Sequence, residues 1–289
     1  MDGVIIIDKP AGWTSHDVVA KLRGAMHEKR IGHSGTLDPI ATGVLPVFAG
    51  RATKAVELFG NDEKEYVAGL RLGVVTDTQD AAGNVLQSRQ VSFNIGDIAA
   101  ATERFLGAQQ QVPPMYSAVK IGGKKLYELA RRGMEVSRPA REIVISEIEV
   151  LGGDGAEFLL RVVCSKGTYI RTLCNDIGEM LGCGGSMSSL RRTRAGEFTI
   201  DLAHALDAVL DAVESGRAGD IMIPIDMLFA EYPEIVLCAA DAGKCRNGAQ
   251  CRLDGVADGI YRVYGPDNEF MLLGETKNGD IAAIKRFHR

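Results

Sequence analysis

No CxxC pair, no histidine-rich tract and no long apolar run occurs in the 289 residues of this chain. The six cysteines (Cys164, Cys174, Cys183, Cys238, Cys245, Cys251) and five histidines (His16, His27, His33, His204, His288) are dispersed. That spacing excludes zinc-finger ligation and argues against a metal hydrolase or a disulfide scaffold. Reduced thiols in a cytoplasm are the expected state. Apolar runs fall well short of the roughly 20 residues that span a bilayer, so no membrane association is expected. Val4-Ile5-Ile6-Ile7 stops at Asp8 and follows the acidic Asp2, which is not the pattern of a signal peptide. Nine prolines and 34 glycines are too few for a collagen-like or low-complexity chain. Neither the GK[ST] of a phosphate loop nor the GxSxG of a hydrolase elbow is present.

What is present is an ordinary globular composition, 46% hydrophobic and 25% charged. The net charge of −5 is unevenly placed. Residues 1–194 balance to +2 and residues 195–289 to −7. Residues 120–145 hold seven bases against three acids, and 161–194 hold six against two. Phosphate binding needs a local positive face rather than a basic total, because each charge reaches only about 8 Å at physiological salt. The charge pattern is compatible with RNA binding, and equally with solvated faces.

The pattern predicts a strand over 4–8, a turn at Lys9-Pro10-Ala11-Gly12, and a helix over 15–29 capped by Ser15. A loop follows at 32–39, then a strand over 66–73 and a helix over 94–106. Residues 107–140 are rich in Pro, Gly and Lys, with a short basic helix at 124–132. Strands at 142–151 and 157–164 form a hairpin; a helix capped by Thr168 and another over 202–214 come next. Beyond Pro224 and Pro233, short β-prone pieces at 234–238, 250–253, 260–264, 269–273 and 281–285 suggest a small barrel. The expected fold class is α+β: a mixed, mainly antiparallel sheet with helices over 1–230, then a β-barrel over 231–289.

The loop Gly32-His33-Ser34-Gly35-Thr36-Leu37-Asp38-Pro39 holds one carboxylate, Asp38, against a proline that biases it to extended backbone. Taken locally, Asp38 could equally cap a helix starting at Pro39.

Residues 32–45 resemble the catalytic motif of the tRNA pseudouridine(55) synthases, the TruB family. Asp8-Lys9-Pro10-Ala11-Gly12-Trp13-Thr14-Ser15 resembles that family's first motif. Further matches follow in order: Tyr66 with Gly73-Val74-Val75-Thr76-Asp77-Thr78-Gln79-Asp80, then Val112-Pro113-Pro114-Met115-Tyr116-Ser117-Ala118, Ser165-Lys166-Gly167-Thr168-Tyr169-Ile170-Arg171 and Ser189-Leu190-Arg191-Arg192. The likeness runs through about residues 1–230. The tail resembles a PUA-like RNA-binding barrel, mainly through Arg246-Asn247-Gly248 and its strand rhythm.

This resemblance implies an isomerase that flips a T-loop uridine out of tRNA, breaks its C1′–N1 bond and rejoins the base through C5. It implies no cofactor and no metal, and Asp38 as the reacting carboxylate, by a covalent or an elimination route. Arg171 is the implied ionic partner, and Tyr66 the aromatic that stacks on the base and a candidate for late proton removal from C5. Leu190, Tyr169 and Asp80 belong to the implied pocket. His33 is expected to fill the space a flipped base vacates, and Lys9 to fix the catalytic loop or a phosphate. Lys120, Lys124, Lys125, Arg131 and Arg132 fall in a thumb-like insertion at about 107–140, and these with Arg192 are the expected RNA contacts. The implied partner is the T-arm stem-loop of tRNA, met by a monomer without an obligatory protein partner. Two rivals use the same residues: the catalytic subunit of a guide-directed ribonucleoprotein, and a non-catalytic RNA-binding or folding protein.

Overall fold

The computed structural model describes residues 1–60, 63–249, 251–253 and 255–288. The strand Gly3–Lys9 buries alternate sides, Ile5 and Ile7 in one cluster and Val4 and Ile6 in another. Its unbroken apolar run is what a strand covered on both faces requires. It lies in a mixed ten-stranded sheet whose main path is His204–Ala205, Gly3–Lys9, Thr42–Ala49, Gly185–Ala195, Lys64–Leu72, Glu157–Cys164, Arg141–Asp154 and Gly107–Gln111. Pairing is antiparallel except at two places: Gly3–Lys9 beside His204–Ala205, and Thr42–Ala49 beside Gly185–Ala195. The second junction is central, with Arg191 opposite Thr42 and Arg192 opposite Gly43.

The α-helices of the described residues are α1 (Ser15–Met26), α2 (Ile95–Thr102), α3 (Leu126–Ala130), α4 (Ile170–Met180), α5 (Leu206–Glu214) and α6 (Ala239–Arg246). Val18, Val19 and Leu22 of α1 and Leu173, Cys174 and Ile177 of α4 share one core with the sheet face of Ile5, Leu45 and Leu160. On the opposite face, Phe48, Phe59, Phe198, Phe229, Phe270 and Phe287 form a chain of rings with centroids 5.3 to 6.1 Å apart. Phe270 and Phe287 belong to the C-terminal part, a five-stranded sheet ordered Glu234–Val236, Gly259–Tyr264, Phe270–Lys277, Asp280–Arg286 and Cys251–Arg252. Its strands curl into a half-barrel around Leu237, Val263, Met271 and Ile281.

Several sequence expectations are corrected. The cap of α1 is Thr14, paired with Asp17 in a reciprocal box, not Ser15. Thr168 does not cap α4; its hydroxyl donates to the Ser165 carbonyl, and Tyr169 stands at the cap position. The helix over 94–106 is α2 followed by a 3-10 turn at Glu103–Phe105. That over 202–214 is α5 alone, after a 3-10 turn at Ile200–Leu202. Asp38 caps no helix, since residues 39–41 turn directly into the strand starting at Thr42. The barrel reading missed α6, and Gln250, the start of one expected strand, lies outside the described residues.

Candidate active site

The loop 34–41 is held from three directions. Ser15 Oγ accepts from the Leu37 N–H at 2.8 Å and lies 3.2 Å from the Leu37 carbonyl, to which it donates. The Gly12 N–H donates to the Pro39 carbonyl at 2.8 Å. From the far side Arg192, 1% exposed, donates from Nη2 to the Gly35 carbonyl at 2.9 Å and from Nε to that of Val44 at 2.7 Å. Arg192 therefore cannot serve as the expected RNA contact: it is buried and committed to the backbone that frames Asp38. Lys9 is corrected in part. Its ammonium is fully buried and donates to the carbonyls of Trp13 and Pro10 at 2.6 and 2.9 Å, so it fixes the first loop and reaches no phosphate.

Asp38 keeps 37% of its side-chain surface open to solvent. Its Oδ2 lies 2.9 Å from Nε of Arg171, whose side chain is 5% exposed. The same guanidinium donates from Nη1 to the Thr78 carbonyl at 3.1 Å and from Nη2 to the Tyr116 carbonyl at 2.9 Å. Asp80 lies behind it, Oδ2 to Nη1 3.6 Å, with Oδ1 accepting from the Thr78 hydroxyl at 2.6 Å and the Ala82 N–H at 3.0 Å. Arg171 thus joins the Asp38 loop, the 77–84 turn and the insertion.

Burial raises the Asp38 pKa, the Arg171 guanidinium opposes that rise, and Asp80 adds to it. The net result is a carboxyl whose pKa stands above its ordinary value, with Arg171 and, more weakly, Lys9 limiting the rise. Burial lowers the Lys9 pKa to about 8; Asp38 pulls it back up and Arg192 pushes it further down. Burial also raises the Tyr66 phenol; Arg192 opposes that rise and Asp38 adds to it, so the ring stands near both. Burial lowers the His33 pKa, with Arg192 and His16 adding to the effect, and its Nδ1 finds no partner among the described residues. Leu190 is buried in the core beside the Thr42 junction, and Tyr169 is half-buried at the start of α4.

The basic residues lie further along the stretch that holds Tyr116. Lys120 and Lys124 sit on a two-strand hairpin, and Arg131 and Arg132 follow α3, all exposed. Lys125 is half-buried, and it and Arg131 each lie 5.4 Å from the Tyr127 ring centre. The cation pair on one ring gives the hairpin and α3 a common anchor. Sequence reasoning missed Ser15 and Gln111. Ser15 reads in the sequence as the helix cap, a role that Thr14 takes, and Gln111 precedes the Val112 motif without any local signal. Among the described residues, no three His, Cys, Asp or Glu side chains gather as a metal-binding group. Nor is any described helix long and apolar enough to cross a membrane.

The TruB family pseudouridylate synthase N-terminal domain matches residues 23–170, and the tRNA pseudouridylate synthase B C-terminal domain matches residues 171–229. These two matches meet inside the first turn of α4. The chain is 41% identical to the tRNA pseudouridine synthase B of Clostridium kluyveri over 99% of this chain and 100% of that one. It is 42% identical to the protein of the same name from Alkaliphilus oremlandii over 97% and 95%. Among solved structures, a chain of a Cbf5-Nop10-Gar1 complex is 29% identical with a TM-score of 0.72, covering 99% of this chain and 85% of that one. A chain of an H/ACA RNP bound to a substrate RNA containing 2′-deoxyuridine is 26% identical with the same TM-score, covering 99% and 85%.

Proposed function

This chain belongs to the TruB family of pseudouridylate synthases, and we propose that it converts the T-loop uridine at position 55 of tRNA with Asp38 as the reacting carboxylate. The activity itself, isomerisation of a tRNA uridine to pseudouridine, follows from full-length likeness to proteins of that name. The sheet and its helices are a pseudouridine-synthase fold.

The observation that carries the assignment is the Arg171–Asp38 pair: a buried cation 2.9 Å from a carboxylate that still opens to solvent. The net reaction breaks C1′–N1, forms C1′–C5, and moves one proton from C5 to N1. An ionised Asp38 can attack the sugar or base, or remove a proton, and each role requires the unprotonated form that Arg171 favours. Tyr66 stacks on the flipped base, Leu190 and Tyr169 wall it, and Asp80 steadies Arg171 from behind. His33 takes the space that the base leaves. Residues 107–140 act as a basic thumb on the T-arm, and residues 231–289 as a PUA-like RNA-binding unit after a catalytic domain of residues 1–230. The protein works as a cytoplasmic monomer. Identities of 41–42% to proteins named tRNA pseudouridine synthase B, against 26–29% to chains of an H/ACA RNP and a Cbf5-Nop10-Gar1 complex, favour the tRNA synthase reading.

Asp38→Asn tests the reading. Turnover, read as tritium release from C5-labelled uridine in a bare T-arm stem-loop, should fall below detection while RNA binding persists. Clear release by pure Asp38→Asn protein would remove Asp38 from the reaction.

A further inference from the structure

Gln111 ends the strand Gly107–Gln111, and the basic stretch leaves the sheet at the next residue. Its side chain is buried and crosses to the start of α4. There Oε1 accepts from the Tyr169 N–H at 2.8 Å, and Nε2 donates to the Tyr169 carbonyl at 3.1 Å. An amide that grips both polar groups of one residue fixes its position and its rotation together. It does so where α4 has no side-chain cap of its own to satisfy its first turn.

Arg171 stands two residues further on. Its donors lie in one rigid plane, so Nε on Asp38, Nη1 on Thr78 and Nη2 on Tyr116 shift together when that turn rotates. Tyr116 lies in the same stretch that Gln111 anchors, so the root of the stretch meets α4 at two points. A displacement of about 1 Å at a reacting group costs on the order of a hundredfold in rate.

We propose that Gln111 is a positioning residue: it sets the first turn of α4, hence the Arg171 that aligns Asp38, and ties that alignment to the root of the basic stretch. The inference rests on Asp38 being the reacting carboxylate. Gln111 acts through Tyr169 and Arg171 rather than on the substrate.

Two variants test it. Gln111→Met keeps the length of the side chain and removes both bonds. Gln111→Glu keeps the acceptor for the Tyr169 N–H and sets an oxygen against the Tyr169 carbonyl. Both are compared with wild type and Asp38→Asn on the T-arm stem-loop, measuring turnover at saturating RNA, RNA affinity and the acid limb of the turnover–pH profile. Asp38 is faced by Arg171 from α4, Asp80 from the 77–84 turn, Lys9 from the first strand and Tyr66 from the strand Lys64–Leu72. Arg171 is the one carried by the turn that Gln111 holds, so loosening that turn draws a cation away from Asp38 and moves the acid limb to higher pH.

Turnover of Gln111→Met should fall at least about tenfold and that of Gln111→Glu by an intermediate factor, with affinity changed less than about threefold. The acid limb should rise in both. Turnover within about twofold of wild type, or an acid limb that does not move, overturns the proposal and makes Gln111 a packing residue. If Gln111→Met does not fold, Gln111→Glu decides alone. Activity remaining in Asp38→Asn would instead overturn the assignment of Asp38, and that variant reads it independently of Gln111.

Discussion

Lys9 brings an ammonium to a place where none of its surface meets water. Two backbone carbonyls receive it, those of Pro10 and Trp13, and they hold the loop that in turn bonds Pro39. The arrangement makes stability depend on pH in a direction that can be worked out. The folded pKa is about 8 and the ordinary value is 10.5, so between them the unfolded chain keeps a proton that the folded chain has released. Stability from this residue therefore rises with pH across that window and is lost as pH falls through about 8. Urea denaturation of wild type and Lys9→Met at two pH values, one just below the folded pKa and one near the top of the window, isolates the effect. The advantage of wild type should grow by about 1–2 kcal/mol toward the higher pH. A difference that stays flat would mean that Lys9 folds without a shifted pKa.

At the scale of elements, the central parallel junction decides where the site lies. Gly43 sits there at φ +99°, and a Cβ added to it would lie 2.1 Å from the Arg192 carbonyl oxygen. Both the positive φ and the close approach call for glycine. Gly43→Ala should destabilise by about 3 kcal/mol or more, read from urea denaturation, because neither strand can move without breaking its other pairings. A loss under about 1 kcal/mol would show that the junction yields.

The strands that meet here were readable from sequence because alternation and turn residues are local signals: 4–8, 142–151 and 157–164 all fall inside observed strands or pair as expected. Their pairing across the sheet was not readable, since Arg192 is 149 residues from Gly43. The same limit explains the misplaced residues. Ser15 looks like a cap because Thr14 and Ser15 offer equivalent hydroxyls, and what separates them is Leu37, 22 residues away. Arg192 looks like an RNA contact because it stands in a run of arginines, yet strand alternation turns it to the same buried face as Leu190, while its neighbour Arg191 pairs with Asp8 near the surface. The missed α6 follows Cys238, whose thiol forms no strong cap signal and whose helix has almost no apolar stripe. The Asp38 loop has no periodicity, so the chemistry proposed for it rests on a motif and not on local pattern.

Over the whole molecule, charge and packing are divided between different parts. The C-terminal sheet carries Phe270 and Phe287 into the ring cluster behind the main sheet, and Arg51 ties the two parts further through Asp2 and Glu269. The acidic excess falls on residues 195–230, with seven acids against one base, and not on the C-terminal part, where 231–289 hold nine against eight; Lys120, Lys124, Arg131 and Arg132 project from the insertion. A net charge of −5 repels RNA only weakly at the insertion, because screening cuts off the distant carboxylates within about 8 Å. If these four side chains contact phosphate, each releases a counterion, with a slope of about 0.7–0.9 per contact in log affinity against log salt. Replacing all four by Gln should weaken tRNA binding and flatten that slope by about 3. Turnover at saturating RNA should fall far less than in Asp38→Asn, since Asp38, Arg171 and Gln111 are untouched. Unchanged affinity with an unchanged slope would make the four a solvated face and move the RNA surface elsewhere, first to the half-exposed Arg191 and Arg194 beside the site.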